Sequence, residues 1–294
     1  MSIRTLAYGA LALAAALFGT TFVLVKGALD AIPPLSFVGW RFLIAAAVLL
    51  AIARPRSLST WVDGSIAGGV LFVGFATQTI GLEQTSASNS GLITGLYVVF
   101  TPLLASVFAR RSPAATAVIG GAISVAGLML LTIGDGLTLS AGDAWTLACA
   151  GAFAMHIVIL ASMAPRHRVL GFTAVQLAVT AALALGASAL TEQAGFPDPS
   201  VWIALAVTAI AVTCGAFAAQ VWAQTVIGPS RTAIVLALEP VFAVATAALV
   251  LGERLDARAA MGAVLILAGI YVVLVFAPPE DIDLRTAEAL SEAH

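Results

Sequence analysis

The chain has 294 residues, 61% of them hydrophobic and only 10% charged, with a mean hydropathy of +1.06. A soluble domain is roughly half apolar and about a quarter charged, so that class is excluded. The net charge of −2, with no basic run and no interleaving of aromatic and basic residues, leaves no footprint for nucleic acid.

Continuous Ala/Leu-rich runs predict helices; a barrel would show alternating segments of about ten residues. About 21 residues cross a bilayer core. Ten such spans fit, at 6–26, 34–54, 61–82, 88–110, 114–133, 142–163, 169–191, 201–224, 229–251 and 257–277. The first follows Met1 to Arg4 much as a signal peptide would. Its apolar run extends to Val25 and further spans follow, so it is expected to be retained. It carries Phe18 and Thr21 and ends near Lys26, whose stem can snorkel to the interface. The second span holds Arg41 beside Trp40, and the third holds Phe75 and Gln78. In the fourth, Ser90, Thr94, Tyr97 and Thr101 are spaced 4, 3 and 4, which places them on one helix face. The sixth repeats this with Thr146, Cys149, Phe153 and His156, and the seventh carries Gln176. The eighth holds Cys214, Phe217, Gln220 and Trp222, and the ninth aligns Thr232, Glu239 and Thr246. Cys149 and Cys214 sit inside apolar runs and read as packing residues, not as a disulfide or metal site.

The boundaries carry breakers or charge: Pro33-Pro34, Arg54-Pro55-Arg56, Arg111-Ser112-Pro113, Gly134-Asp135-Gly136, Pro165 to Arg168, Pro197-Asp198-Pro199, Gly228-Pro229 and Pro278-Pro279. Loops are short, and a polar tail closes the chain from Glu280 to His294. Trp61, Trp145 and Trp202, at span starts, read as interfacial anchors. With the N-terminus cytoplasmic, that side collects Arg4, Arg54, Arg56, Arg110, Arg111, Arg166, Arg168, Arg231 and Arg285, whereas the other side has Lys26, Arg254 and Arg258. The bias predicts both termini in the cytoplasm.

The second half of the chain repeats the first. Phe75-Ala76 and Gln78 recur 142 residues later as Phe217-Ala218 and Gln220, and Gly120 and Gly127 recur as Gly262 and Gly269. Phe18, Val23 and Phe37 recur 135 residues later as Phe153, Val158 and Phe172. An odd number of spans per half turns the second copy upside down, the plan of secondary transporters with a substrate site where the halves meet. The repeat assigns residues 1–138 to one five-helix unit, 139–277 to an inverted second, and 278–294 to a cytoplasmic tail.

Polar groups in hydrocarbon are costly and need a reason. Superposing the halves pairs Gln78 with Gln220, Tyr97 with Glu239, Thr21 with His156 and Arg41 with Gln176. These matched groups predict one polar interior lining. The alternative, helix contacts with satisfied hydroxyls, stays open for the Ser/Thr members. Glu239 has two readings: a substrate or proton site, or a group that answers backbone freed by Pro240 or pairs with a distant base. His156 reads either as a ligand or as a group held by a neighbouring helix. Pro102 and Pro240 predict kinks one helical turn out of register between the halves.

Thr85-Ser86-Ala87-Ser88-Asn89-Ser90-Gly91, Leu238-Glu239-Pro240 and Gly252-Glu253-Arg254-Leu255, set in this doubled plan, resemble the drug/metabolite transporter superfamily, in particular proteins with two EamA repeats. The likeness spans about residues 5 to 277; the first half departs from it where Arg110-Arg111-Ser112 stands in place of Gly-Glu-Arg. Within the superfamily the chain is similar to the YddG-like amino-acid exporters. That resemblance implies export of neutral or aromatic amino acids and related metabolites across a bacterial inner membrane. It also implies a central cavity lined by helices 1, 3, 4, 6, 8 and 9. The expected substrate-binding residues are Thr21, Gln78, Thr94, Tyr97, His156, Gln220, Trp222 and Glu239, with Glu239 as the candidate proton coupler. The expected partners are an amino-acid-like solute and the bilayer. No cofactor, metal or catalytic residue is expected, and a monomer is the working assumption.

Two other classes compete. An intramembrane enzyme needs a nucleophile with a base or a set of metal ligands, and no His-Glu-x-x-His or Gly-x-Ser-x-Gly occurs. A passive channel would normally show rings of charge or a carbonyl filter. No Gly-x-x-x-x-Gly-Lys-Ser/Thr loop is present to drive transport with nucleotide.

Overall fold

A computed structural model of the chain describes residues 2–110, 112–132, 140–192, 196–254 and 256–276. Every regular element among them is helical, as expected where lipid offers the backbone no partners. Seven helical segments are long and apolar enough to cross a membrane: Ile3–Ala28, Pro34–Ile52, Leu58–Gln84, Ala87–Phe108, Ala141–Arg166, Val169–Thr191 and Pro199–Gln224. Their ends fall within three residues of the spans read from the sequence. Val118–Gly127, Glu239–Leu251 and Ala260–Val272 are shorter apolar stretches. The tail from 278 to 294, the Gly134-Asp135-Gly136 boundary, Arg111 and Leu255 lie outside the described residues.

The elements in chain order are α1 (Ile3–Ala28), α2 (Pro34–Ile52), α3 (Leu58–Gln84), α4 (Ala87–Thr94), α5 (Tyr97–Phe108), α6 (Ala115–Thr132) and α7 (Ala141–Met163). They continue with α8 (Val169–Thr191), α9 (Trp202–Val207), α10 (Phe217–Gln224), α11 (Pro229–Leu236), α12 (Glu239–Thr246) and α13 (Ala257–Phe276). Four helices start on serine caps: Ser2, Ser57, Ser86 and Ser140 accept from the backbone N–H three residues on. α6 lies along α13, where Gly127 faces the Gly262 carbonyl and Gly269 the Gly120 carbonyl. These glycines let two backbones meet. Ser124 also donates to the carbonyl of Ile266 across this crossing.

Two runs expected to be single helices are each broken in the middle. α4 gives way to α5 at Gly95-Leu96, and α11 to α12 at Ala237-Leu238, 142 residues later. In both, the backbone tightens to bonds three residues back, Leu96 to Ile93 and Leu238 to Val235. The breaks are therefore in register between the halves. At both breaks α4 crosses α12 closely. A β-carbon on Gly95 would strike the Pro240 ring, and one on Gly91 the Ala243 methyl. Pro240 sits in the first turn of α12, where its missing N–H is harmless, while Pro102 lies inside α5. The second half also has its own irregularity. Thr208–Ala216, which joins α9 to α10, is π-helical, whereas the matching stretch of α3 is a regular α-helix.

One end of the bundle is tied by charged caps. Lys26 Nζ donates to the carbonyls of Leu82, Glu83 and Thr85 at 2.7, 3.1 and 2.9 Å, closing the C-terminus of α3 rather than merely snorkelling. Glu192 accepts from the N–H groups of Leu35 and Ser36 at the start of α2, both at 2.9 Å. Glu253 accepts from Ala87 and Ser88 at the start of α4, at 2.9 and 3.0 Å. Gly252, at φ +67°, supplies the left-handed turn just before Glu253. The Gly-Glu and Ser-Ala-Ser segments that carried the family resemblance are thus the two sides of one contact. Bonds of this charged kind are worth about 1.5–3 kcal/mol, so Glu253→Ala is expected to destabilise the protein by about 2 kcal/mol. A lowered thermal midpoint in detergent, with exposed Arg254→Ala unchanged, is the measurement.

Candidate functional site

A narrow cavity opens where the broken helices meet. Its atom-free space is about 470 Å³, of which the centre of a water-sized sphere can occupy only about 40 Å³. α1 supplies Phe18, Thr21 and Phe22, α3 supplies Phe75 and Gln78, and α7 supplies Phe153, His156 and Ile157. α10 adds Phe217 and Gln220; Tyr97 comes from α5, Glu239 from α12 and Leu236 from α11. Arg41 of α2 completes the wall. Its helix was not among those the resemblance implied.

Matched residues of the two halves touch each other here. The Tyr97 hydroxyl donates to Glu239 Oε2 at 3.1 Å, and these residues are 142 apart. Both stand at the first position of the helix that follows a break, which turns both side chains inward at the same level. The Phe75 and Phe217 rings, also 142 apart, lie 5.6 Å centre to centre. Phe18 packs on Phe217 at 5.1 Å and Phe153 on Phe75 at 5.1 Å. The aromatic floor is therefore continuous across the halves, with tilted and edge-on rings in the favourable range.

Much of the polar wall is held by partners within the protein. His156 Nε2 is 2.9 Å from Gln176 Oε1, so the histidine does have a partner on the neighbouring α8. The Gln220 amide donates to Gln224 at 3.2 Å, and Gln224 donates to the Ile157 carbonyl at 3.0 Å. Thr21 turns its hydroxyl back to the Phe18 carbonyl at 2.5 Å. Arg41 Nε donates to Thr213 Oγ1 at 2.6 Å. Thr213 in turn donates to the Thr208 carbonyl five residues back, a bond that the π-helical segment makes available.

Six of the eight expected substrate residues, Thr21, Gln78, Tyr97, His156, Gln220 and Glu239, face this one cavity. Two do not line it. Thr94 is fully buried on α4, as is Ser90 one turn earlier. Trp222 is half-buried and packs against the main apolar core. Arg41, left out of the expected set, is present. Its signal was available as the one charge deep within the second span, but a deep arginine can also pair inside the protein, and sequence alone does not separate the two.

The profile of the EamA-like transporter family matches residues 5–133 and again 140–275. The chain is 32% identical to an uncharacterized transporter of Archaeoglobus fulgidus over 270 residues, covering 90% of this chain and 84% of that one. It is 30% identical over 277 residues to a probable amino-acid metabolite efflux pump of Salmonella typhimurium, covering 87% of this chain and 90% of that one. A crystal structure described simply as that of a protein shares the fold, with a TM-score of 0.67 at 22% identity, covering 91% of this chain and 96% of the other.

Proposed function

This chain belongs to the EamA-like transporter family and is a multi-pass membrane transporter, and from that premise we propose that it exports neutral or aromatic amino acids and related metabolites by alternating access. The observation that carries this reading is the cavity, a tight aromatic chamber with polar groups from both halves of the chain. An amphipathic zwitterion suits such walls. Phe18, Phe75, Phe153 and Phe217 would hold its side chain, and Gln78, Gln220 and Tyr97 its polar end. The relative from Salmonella typhimurium, named a probable amino-acid metabolite efflux pump, supports the solute class and direction.

The reading includes ten spans in two inverted five-span repeats, 1–138 and 139–277, with both termini in the cytoplasm of a bacterial cell. In support, Tyr97–Glu239, Phe75–Phe217 and Ser124–Ile266 each pair a residue with its counterpart 142 positions on. Contacts between counterparts are what a two-fold relation between repeats produces on its axis. The tight cavity means that the walls must part to admit a solute. The capped end, held by Lys26, Glu192 and Glu253, is then the closed gate of the described conformation.

The test is counterflow. Proteoliposomes loaded with unlabelled phenylalanine should draw in labelled phenylalanine transiently above equilibrium, because a carrier exchanges bound solute. Simple equilibration at a rate unaffected by the internal load would make the protein a channel. Uptake of none of a panel of amino acids, with uptake of another metabolite, would move the solute elsewhere within the family.

A further inference from the structure

Arg41 is 4% exposed and lines the cavity. A guanidinium carries five N–H donors and is effectively always charged. Within the described residues its one hydrogen bond is that from Nε to Thr213, and no carboxylate forms an ion pair with it. Its remaining contacts are ring faces: Arg41 Cζ lies 5.1 Å from the Phe75 centroid and 5.7 Å from that of Phe42. Those rings soften the cost of burial but supply no negative charge. A buried cation without an anion is costly in a membrane protein and needs a compensating partner. Both rings belong to the network that lines the cavity, since Phe42 packs on Phe75 at 4.8 Å.

The position is not a shared structural one. The counterpart of Arg41 in the second half is Gln176, which is occupied with His156. The π-helical segment that presents Thr213 to Arg41 likewise has no parallel in the first half. Two irregularities, one in each half, thus meet to hold a planar donor fork at the cavity wall. Glu239 stands in the same wall, fixed through one oxygen by Tyr97.

We propose that Arg41 is the anchor for a carboxylate on the transported solute, so that the cavity selects molecules bearing a free carboxylate beside an apolar body. This rests on the transporter reading but goes further than it. Gln78 and Gln220 could hold any polar end, whereas a guanidinium fork favours a planar anion through paired, charge-assisted bonds. Thr213 orients the fork, and the rings flank the solute's apolar part.

The experiment compares phenylalanine, phenylalaninamide and phenethylamine as competitors of labelled-phenylalanine exchange in proteoliposomes. Wild type should bind the free acid at least tenfold more tightly than the amide or the amine. Arg41→Gln should erase that preference by weakening the acid alone, and Arg41→Lys should restore part of it. Thr213→Val, which keeps the charge but frees Nε, should lose several-fold in affinity for the acid; it serves as the measurement if Arg41→Gln does not yield folded protein. Wild-type preference for the acid persisting in these variants overturns the proposal. If wild type exchanges no amino acid, the amino-acid reading fails separately. The same acid–amide comparison is then made with whichever solutes are exchanged, and a preference for solutes without a carboxylate overturns the role of Arg41.

Discussion

Liposomes carrying the Glu239→Gln variant will exchange labelled phenylalanine against unlabelled, yet an imposed pH gradient will no longer make them accumulate it. Glu239 is the carboxyl of the cavity wall. It begins α12 immediately after the break. The groups around it are Tyr97 from α5, Arg41 from α2, and Cys149 and His156 from α7. A carboxyl that takes and releases a proton at each turn of the carrier couples the solute to that proton. An amide of the same shape preserves the lining and removes the exchange. One proton per solute makes each unit of pH difference worth about 1.4 kcal/mol, or roughly a tenfold concentration ratio. Wild type should therefore build about a tenfold gradient per pH unit, and Glu239→Gln none. Tyr97→Phe deletes the hydroxyl donated to Glu239 Oε2 but leaves the acid, so coupling should survive with altered affinity. Accumulation by Glu239→Gln at the wild-type level would remove Glu239 from the energetics and leave it as a lining residue.

The residues that reach the cavity were legible to the extent that the repeat was legible. Tyr97 and Glu239 touch because they are counterparts, and Phe75 meets Phe217 for the same reason. Matching positions in two copies converts a one-dimensional offset into a spatial contact. Thr94 followed the same helical stripe as Tyr97 but is buried in the α4 contact face, because the break at Gly95-Leu96 separates the two turns. A stripe drawn on an unbroken helix could not register that. Pro102 and Pro240 mark where helix hydrogen bonds are missing, while Gly91 and Gly95 mark where another helix presses, and only the packing shows the latter. Lys26 was read as an interface charge, and Glu253 only as part of a segment that carries the family resemblance. Their actual role, closing helix ends from distant parts of the chain, depends on packing that spacing does not encode.

Gly19→Val is expected to abolish folded, active protein, whereas Gly9→Ala and Gly27→Ala on the same helix should pass without loss. A β-carbon at Gly19 would lie 2.5 Å from the Glu239 carbonyl oxygen and 3.0 Å from the Ala243 amide nitrogen. Both are backbone atoms, so no side chain can rotate away. Nothing stands within 4 Å of a β-carbon at Gly9 or Gly27. Helix propensity alone favours alanine over glycine by about 1 kcal/mol, so the two control variants should be neutral or slightly stabilised. Overpacking usually costs about 1–3 kcal/mol and occasionally more. At Gly19 the displaced element is the start of α12, whose adjoining face is already packed against Gly91 and Gly95 of α4. Only the side bearing the exposed Leu238 and Val241 is open, and moving that way breaks the α4 and α1 contacts, so the cost falls at the upper end of that range. Detergent-solubilised yield by size-exclusion chromatography, followed by counterflow on whatever folds, separates loss of fold from loss of function. A well-folded, fully active Gly19→Val protein would mean that α12 is not clamped between α1 and α4. The inward setting of Glu239 would then need another cause.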